Sequence, residues 1–287
     1  MNTLRRHPVA AFFVFAYLGS WLVWSPWWLS TSGLGWWTVT IPDGPIRLIN
    51  LLGLFTGPFA AALAMAHVCD GRGGARQLLR RCVQGKTGVV WYAAALIVIP
   101  AAMIVGLFLA PSVPREHGDP IVAGALFMVF LLGGPIQEEP GWRGFALPRM
   151  QEHHHPLTAA LLLGVVWTFW HAPLFLTKEW DTPRENVGDL LAYLAFVVAL
   201  SVLMSWLTNG ARGSVLLAIL GHNAVNWALM VFPSLMGRAA TAMWPAALGA
   251  VALALVVAVL TRGRLALTCP EAHAPTAPEE PNDTVTT

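Results

Sequence analysis

Eight apolar runs, each near the length of a membrane-spanning helix, divide this chain and leave it few possible folds. They lie at about 9–29, 48–68, 89–110, 121–137, 157–176, 190–208, 214–232 and 243–261. A bilayer core of about 30 Å is crossed by about 20 apolar residues in a helix. In hydrocarbon a helix satisfies its own backbone polar groups, so the runs predict an all-α, polytopic bundle of about eight transmembrane helices. Composition agrees: 11% of the residues are charged and 56% hydrophobic, against about 25% charged in a soluble domain. A net charge of +2 gives no basic surface of the kind that grips nucleic acid.

Arg5 and Arg6 precede the first run, as they would in a signal peptide. The run VAAFFVFAYLGSWLVWSPWW exceeds the roughly 7–15 residues of a signal core, and no small-x-small cleavage site follows it. It reads as an uncleaved first span. With an inner N-terminus and eight crossings, the loops carrying Arg72, Arg76, Arg80, Arg81, Lys86, Arg143, Arg149, Arg212, Arg262 and Arg264 join Arg5 and Arg6 inside. Arg47, Arg115, Lys178, Arg184 and Arg238 fall outside. That bias toward inside positive charge places both termini in the cytoplasm. Residues 1–265 read as one membrane domain. The polar, Pro-rich, acidic stretch 266–287 reads as a disordered cytoplasmic tail. RQLLRRCV, between the second and third runs, reads as a basic amphipathic piece lying on the inner membrane surface near anionic lipid. Cys69, Cys82 and Cys269 match no metal-site spacing and read as free thiols.

Ionisable groups at membrane depth are functional candidates by default. Glu138 and Glu139 end the fourth run, with Arg143 four residues after Glu139; WTFWH places Trp167 and His171 one turn apart; HNAVN places His222 and Asn226 one turn apart. At that spacing Arg143 can pair with Glu139, Asn226 can reach the His222 ring, and Trp167 can wall the site from lipid. Each element also has a plainer reading. His171 can be an interhelical hydrogen bonder, Glu139–Arg143 a helix-end ion pair, and Asn226 packing glue. His67 looks interfacial, and the run His153-His154-His155 reads as a solvated loop. Taken together, two carboxylates, two imidazoles, an amide and a guanidinium on three runs make the inventory of a hydrolytic site. One carboxylate can polarise water, and Glu138, His171 and His222 could hold Zn²⁺ with an open position.

Three motifs here resemble those of the CPBP family, the CaaX prenyl protease and bacteriocin-processing group. EEPGWR matches Glu-Glu-x-x-x-Arg, WTFWH resembles Phe-x-x-x-His with Trp167 in the Phe place, and HNAVN matches His-x-x-x-Asn. They occur in order over about residues 120–232. The resemblance implies an intramembrane endopeptidase, multi-pass in a bacterial plasma membrane, with its site in the bundle core near the cytoplasmic side. It implies Glu138 as general base, His171 and His222 as metal ligands or oxyanion partners, Asn226 as orienter of His222 or oxyanion binder, and Glu139 with Arg143 as supports. One zinc ion and a metal-free glutamate mechanism both remain open. The substrate implied is a membrane protein or peptide. The rival readings are a non-catalytic scaffold or bacteriocin-immunity factor of the same fold, and a proton-coupled carrier.

Overall fold

The computed structural model describes residues 2–108, 112–180, 182 and 186–267. Residues 268–287 with Cys269, the end of the third run at 109–110, and Arg184 lie outside the described residues. Among the described residues six helices are long and apolar enough to cross a membrane: α1 Pro8–Leu29, α2 Asp43–Asp70, α4 Val89–Phe108, α5 Pro120–Gln151, α6 Pro156–Leu176 and α7 Val187–Gly210. Two shorter apolar helices, α8 Val215–Met230 and α9 Trp244–Leu260, complete the eight. The basic helix α3, Arg72–Cys82, lies between α2 and α4. Proline opens several of these helices, at Pro8, Pro120 and Pro156, where its missing N–H has no intrahelical partner to lose. Asp119 caps α5, its Oδ1 accepting from the N–H of Ile121 at 2.7 Å.

The protein is a polytopic membrane helix bundle. Neighbouring helices run α1–α2–α5–α8–α4–α9–α7–α6 and back to α1, and α7 also packs on α8. Helix α8, with 16 residues, is only about 24 Å long at 1.5 Å per residue. It is enclosed by α4, α5 and α7. At one end of the bundle β1 (Ser112–Pro114) and β2 (Arg238–Ala240) pair antiparallel, with Val113 opposite Ala239.

Two boundaries differ from the sequence reading by five residues or more. Helix α2 begins at Asp43 rather than 48, and α5 continues past 137 to Gln151. The fourth apolar run stops at 137 because Gly133 and Gly134 interrupt α5 and charged residues follow them. Pro140 has no N–H to return to Ile136, and the turn Pro140–Ala146 widens into a π-type helix instead of ending. Two glycines let that wide turn sit deep. A Cβ on Gly141 would stand 2.8 Å from the Pro58 carbonyl oxygen and 2.9 Å from Phe12 Cζ. One on Gly144 would stand 2.4 Å from Leu78 Cδ1.

Helix α3 also departs from a simple surface reading. Arg72, Arg76 and Arg80 are exposed, but Leu78 is buried. Arg81 turns inward, donating from Nε to the Gly213 carbonyl and from Nη1 to the Gly144 carbonyl, both at 2.8 Å. The helix is thus fastened to the turn that follows Glu139.

Gly141→Ala is expected to destabilise the protein by about 1–3 kcal/mol, the usual range for overpacking. Gly124→Ala, which lies inside α5 and meets nothing within 4 Å, is expected to keep or slightly raise the thermal midpoint in detergent. Equal midpoints for the two variants would show that the close approach at Gly141 carries no weight.

Candidate active site

Glu138 and Glu139 are consecutive in the last turn of Pro135–Glu139, so their side chains leave the axis about 100° apart. This separation gives them different surroundings. Glu139 is fully buried, and its Oε1 receives two donors: Arg143 Nη1 at 3.0 Å and His222 Nδ1 at 2.8 Å. A carboxylate only accepts, so Nδ1 of His222 carries a hydrogen and Nε2 points elsewhere. Arg143 is also fully buried, with its guanidinium carbon 4.3 Å from the centre of the Trp167 ring. The pairing proposed from the i,i+4 spacing is present. Its hydrogen bond matters more at this depth than at a surface, because neither charge has water as an alternative partner.

Glu138 is held on one side only. Its Oε2 accepts from Trp167 Nε1 at 2.9 Å. Its Oε1 has no partner among the described residues, yet it is not one of the sealed unpaired atoms, unlike Glu139 Oε2. Glu138 Oε1 is therefore reachable by a group the size of water.

His171 follows the last α-helical residue of α6, Trp170, at the start of a 3₁₀ turn. Its Nδ1 donates to the Trp167 carbonyl at 2.9 Å, which fixes the same tautomer as in His222. Trp170, Tyr193 and Trp180 surround the ring, with centroids 4.7, 5.7 and 5.8 Å away. Helix α1 ties this end of α6 in place. Trp21 Nε1 donates to the Trp170 carbonyl at 2.9 Å, and Trp170 Nε1 donates to Ser20 Oγ at 2.9 Å. Neither His171 Nε2 nor His222 Nε2 is sealed or bonded among the described residues. Three atoms are thus left open: Glu138 Oε1 and the two Nε2 nitrogens.

The structure brings together Glu138, Glu139, Arg143, His171 and His222. Asn226 stands apart: it is half-buried and makes no side-chain hydrogen bond among the described residues. The support for His222 expected from Asn226 comes from Glu139, because a charged acceptor outcompetes an amide for the ring N–H. Trp167 is more than a wall, since it donates to Glu138 and lies beneath Arg143. Asn223 was missed. It is fully buried, and its Nδ2 donates to the Phe127 carbonyl at 3.0 Å. With Trp227 Nε1 on the Ala123 carbonyl at 2.7 Å, it fastens α8 to the first part of α5. The signal for Asn223 was its polarity within an apolar run. The run His153-His154-His155 is exposed, as is His67. Cys69 and Cys82 are free thiols, and burial pushes the Cys82 thiol up to about 11, which leaves it a poor nucleophile at neutral pH.

The donor types suit a zinc ion, and each imidazole keeps its Nε2 for one. The arrangement does not, however, gather Glu138, His171 and His222 into a ligand group. Among the described residues no three His, Cys, Asp or Glu side chains are placed to hold a metal ion.

Comparison with known proteins bears on the same segment. Residues 120–228, from the start of α5 nearly to the end of α8, match the family model described as Rce1-like, the type II CAAX prenyl endopeptidases. The curated CAAX prenyl protease 2 of Methanococcus maripaludis is 27% identical over 102 residues, covering 34% of this chain and 38% of that protein. The chain thus aligns with well under half the length of that relative. The segment matched by the family model contains all six candidate residues.

Arg143→Ala leaves Glu139 with a single partner at full burial, and removing one member of a buried ion pair typically costs about 3–5 kcal/mol. A large fall in thermal midpoint is expected. Asn226→Ala, which removes no described bond, is expected to change stability by less than about 0.5 kcal/mol. Similar midpoints for the two variants would contradict the assignment of Glu139 as the supported, structural carboxylate.

Proposed function

We propose that the protein is an intramembrane endopeptidase that hydrolyses a peptide bond in a membrane-associated protein or peptide. One observation carries the reading. In a network whose other carboxylate is doubly bonded and sealed, Glu138 Oε1 and the two imidazole Nε2 atoms are left open. A scaffold has no need of exposed polar atoms at this depth, where each is costly. The similarity to the CAAX prenyl proteases adds a substrate class, proteins with a lipidated cysteine near the C-terminus.

In this reading Glu138 Oε1 takes a proton from a water molecule, whose oxygen bonds to the scissile carbonyl carbon. The carbonyl π pair moves onto its oxygen. His171 and His222 keep their ring proton on Nδ1, so each bare Nε2 can accept a hydrogen bond from the water and help aim its oxygen at the scissile carbon. Collapse of the adduct breaks the C–N bond, and the proton held by Glu138 passes to the leaving amine. Glu139 and Arg143 hold His222 and the turn, and the free amide of Asn226 faces the substrate. The inside bias of positive charge puts this chemistry in the cytoplasmic half of the membrane, with both termini cytoplasmic.

The test is a quantitative map of new protein termini in host membranes, comparing wild type with Glu138→Gln at equal membrane level. Termini that disappear in the variant identify substrates, and their distance from C-terminal cysteines decides the CaaX-type assignment. An unchanged map with good coverage of membrane peptides contradicts the peptidase reading and favours the scaffold.

A further inference from the structure

Trp167 touches four of the five charged or imidazole groups of the site. Its Nε1 donates to Glu138 Oε2 at 2.9 Å, and Arg143 lies 4.3 Å from its ring centre. The His222 ring lies nearly perpendicular to the indole at 5.1 Å, and the Trp167 carbonyl accepts from His171 Nδ1 at 2.9 Å. It is 2% exposed. The Phe that is usual at this place in the motif has no N–H to give. This chain therefore has a donor on its open glutamate that the usual motif lacks.

We propose that Trp167 is a positioning residue for Glu138, and that its indole N–H selects Oε1 as the oxygen that takes the proton from water. The proposal rests on Glu138 acting as the base. The terminal torsion of a glutamate is broad and nearly two-fold, so an unanchored carboxylate presents either oxygen at varying angles. The bond to Oε2 removes that freedom and leaves one oxygen facing the open side. Because Trp167 also stacks on Arg143 and touches both histidines, the anchor is registered to the other two open atoms. Misplacement of a catalytic group by an ångström can reduce turnover by orders of magnitude.

Two substitutions separate the N–H from the bulk of the ring. Trp167→Phe removes the donor and part of the volume. Replacing Trp167 with β-(3-benzothienyl)alanine keeps a two-ring shape and exchanges only N–H for sulfur. Purified full-length variants are reconstituted in phosphatidylethanolamine/phosphatidylglycerol vesicles and assayed on a peptide spanning a cleavage site from the terminus map. Loss of a hydrogen bond to a charged group predicts that kcat falls roughly tenfold or more in both variants while KM stays within about twofold. A benzothienyl variant with wild-type kcat, or a loss confined to KM, would overturn the proposal.

A second readout needs no turnover. In ¹⁵N-tryptophan-labelled protein, the indole resonance absent from Trp167→Phe should lie downfield, as expected for a carboxylate acceptor. It should move upfield in Glu138→Gln. A resonance that does not respond to Glu138→Gln means that the bond is absent, which also refutes the proposal. Glu138→Gln in the peptide assay separates the two levels. Activity there removes the base assignment itself, whereas an inactive Glu138→Gln beside a fully active Trp167→Phe removes only the role given to Trp167.

Discussion

Everything at this site depends on one buried ion pair, Glu139 with Arg143, formed where water cannot screen or solvate it. A pair of this kind is poor value as a stabiliser, since desolvating both ions offsets most of their attraction. Once made, though, it is hard to undo one side at a time. That asymmetry makes the pair useful as a fixture. Glu139 Oε1 carries Arg143 and His222 at once, so the pair locks α5 to α8. The wide turn after Pro140 allows Arg143 to fold back on the same face. Gly141 and Gly144 let that turn approach α2 and α3, and Arg81 ties α3 to the Gly144 carbonyl.

With Glu139 fixed, the neighbouring glutamate acquires a different character from the backbone alone. A rotation of about 100° per residue takes Glu138 off the sealed side and toward the open one. There it meets Trp167 through one oxygen and leaves the other free. The two histidines repeat the pattern. Each uses Nδ1 as an anchor, one on a carboxylate and one on a backbone carbonyl, and each leaves Nε2 unbonded. Anchoring one atom of each group while freeing its partner atom is the kind of preorganisation that hydrolysis of an unactivated amide requires.

Much of this was legible in the residues. The apolar runs located all eight helices, because a membrane crossing imposes length and composition together. Polar residues inside those runs located the five charged or imidazole groups that converge, because charge at that depth must be matched. Other features were not legible. The fourth run ended too early, since nothing in the sequence distinguishes a π-type continuation past Pro140 from a helix end. Asn226 was paired with His222 by spacing, but spacing along one helix cannot register a stronger acceptor arriving from another. Trp167 was taken for an apolar wall. Its N–H only acquires meaning when α6 is placed against α5, a matter of tertiary packing. Asn223 stood out only as a polar residue in an apolar run, with no motif to give it a role.

The central claim is that two adjacent glutamates have been given separate tasks, one as fixture and one as base. Glu138→Gln and Glu139→Gln compared in one membrane preparation test it directly, with thermal midpoint and peptide hydrolysis measured on each. The account predicts that Glu138→Gln keeps the wild-type midpoint and loses hydrolysis, whereas Glu139→Gln loses midpoint by the amount expected of a broken buried pair. Hydrolysis surviving in Glu138→Gln, or equal loss of midpoint in both variants, would contradict it.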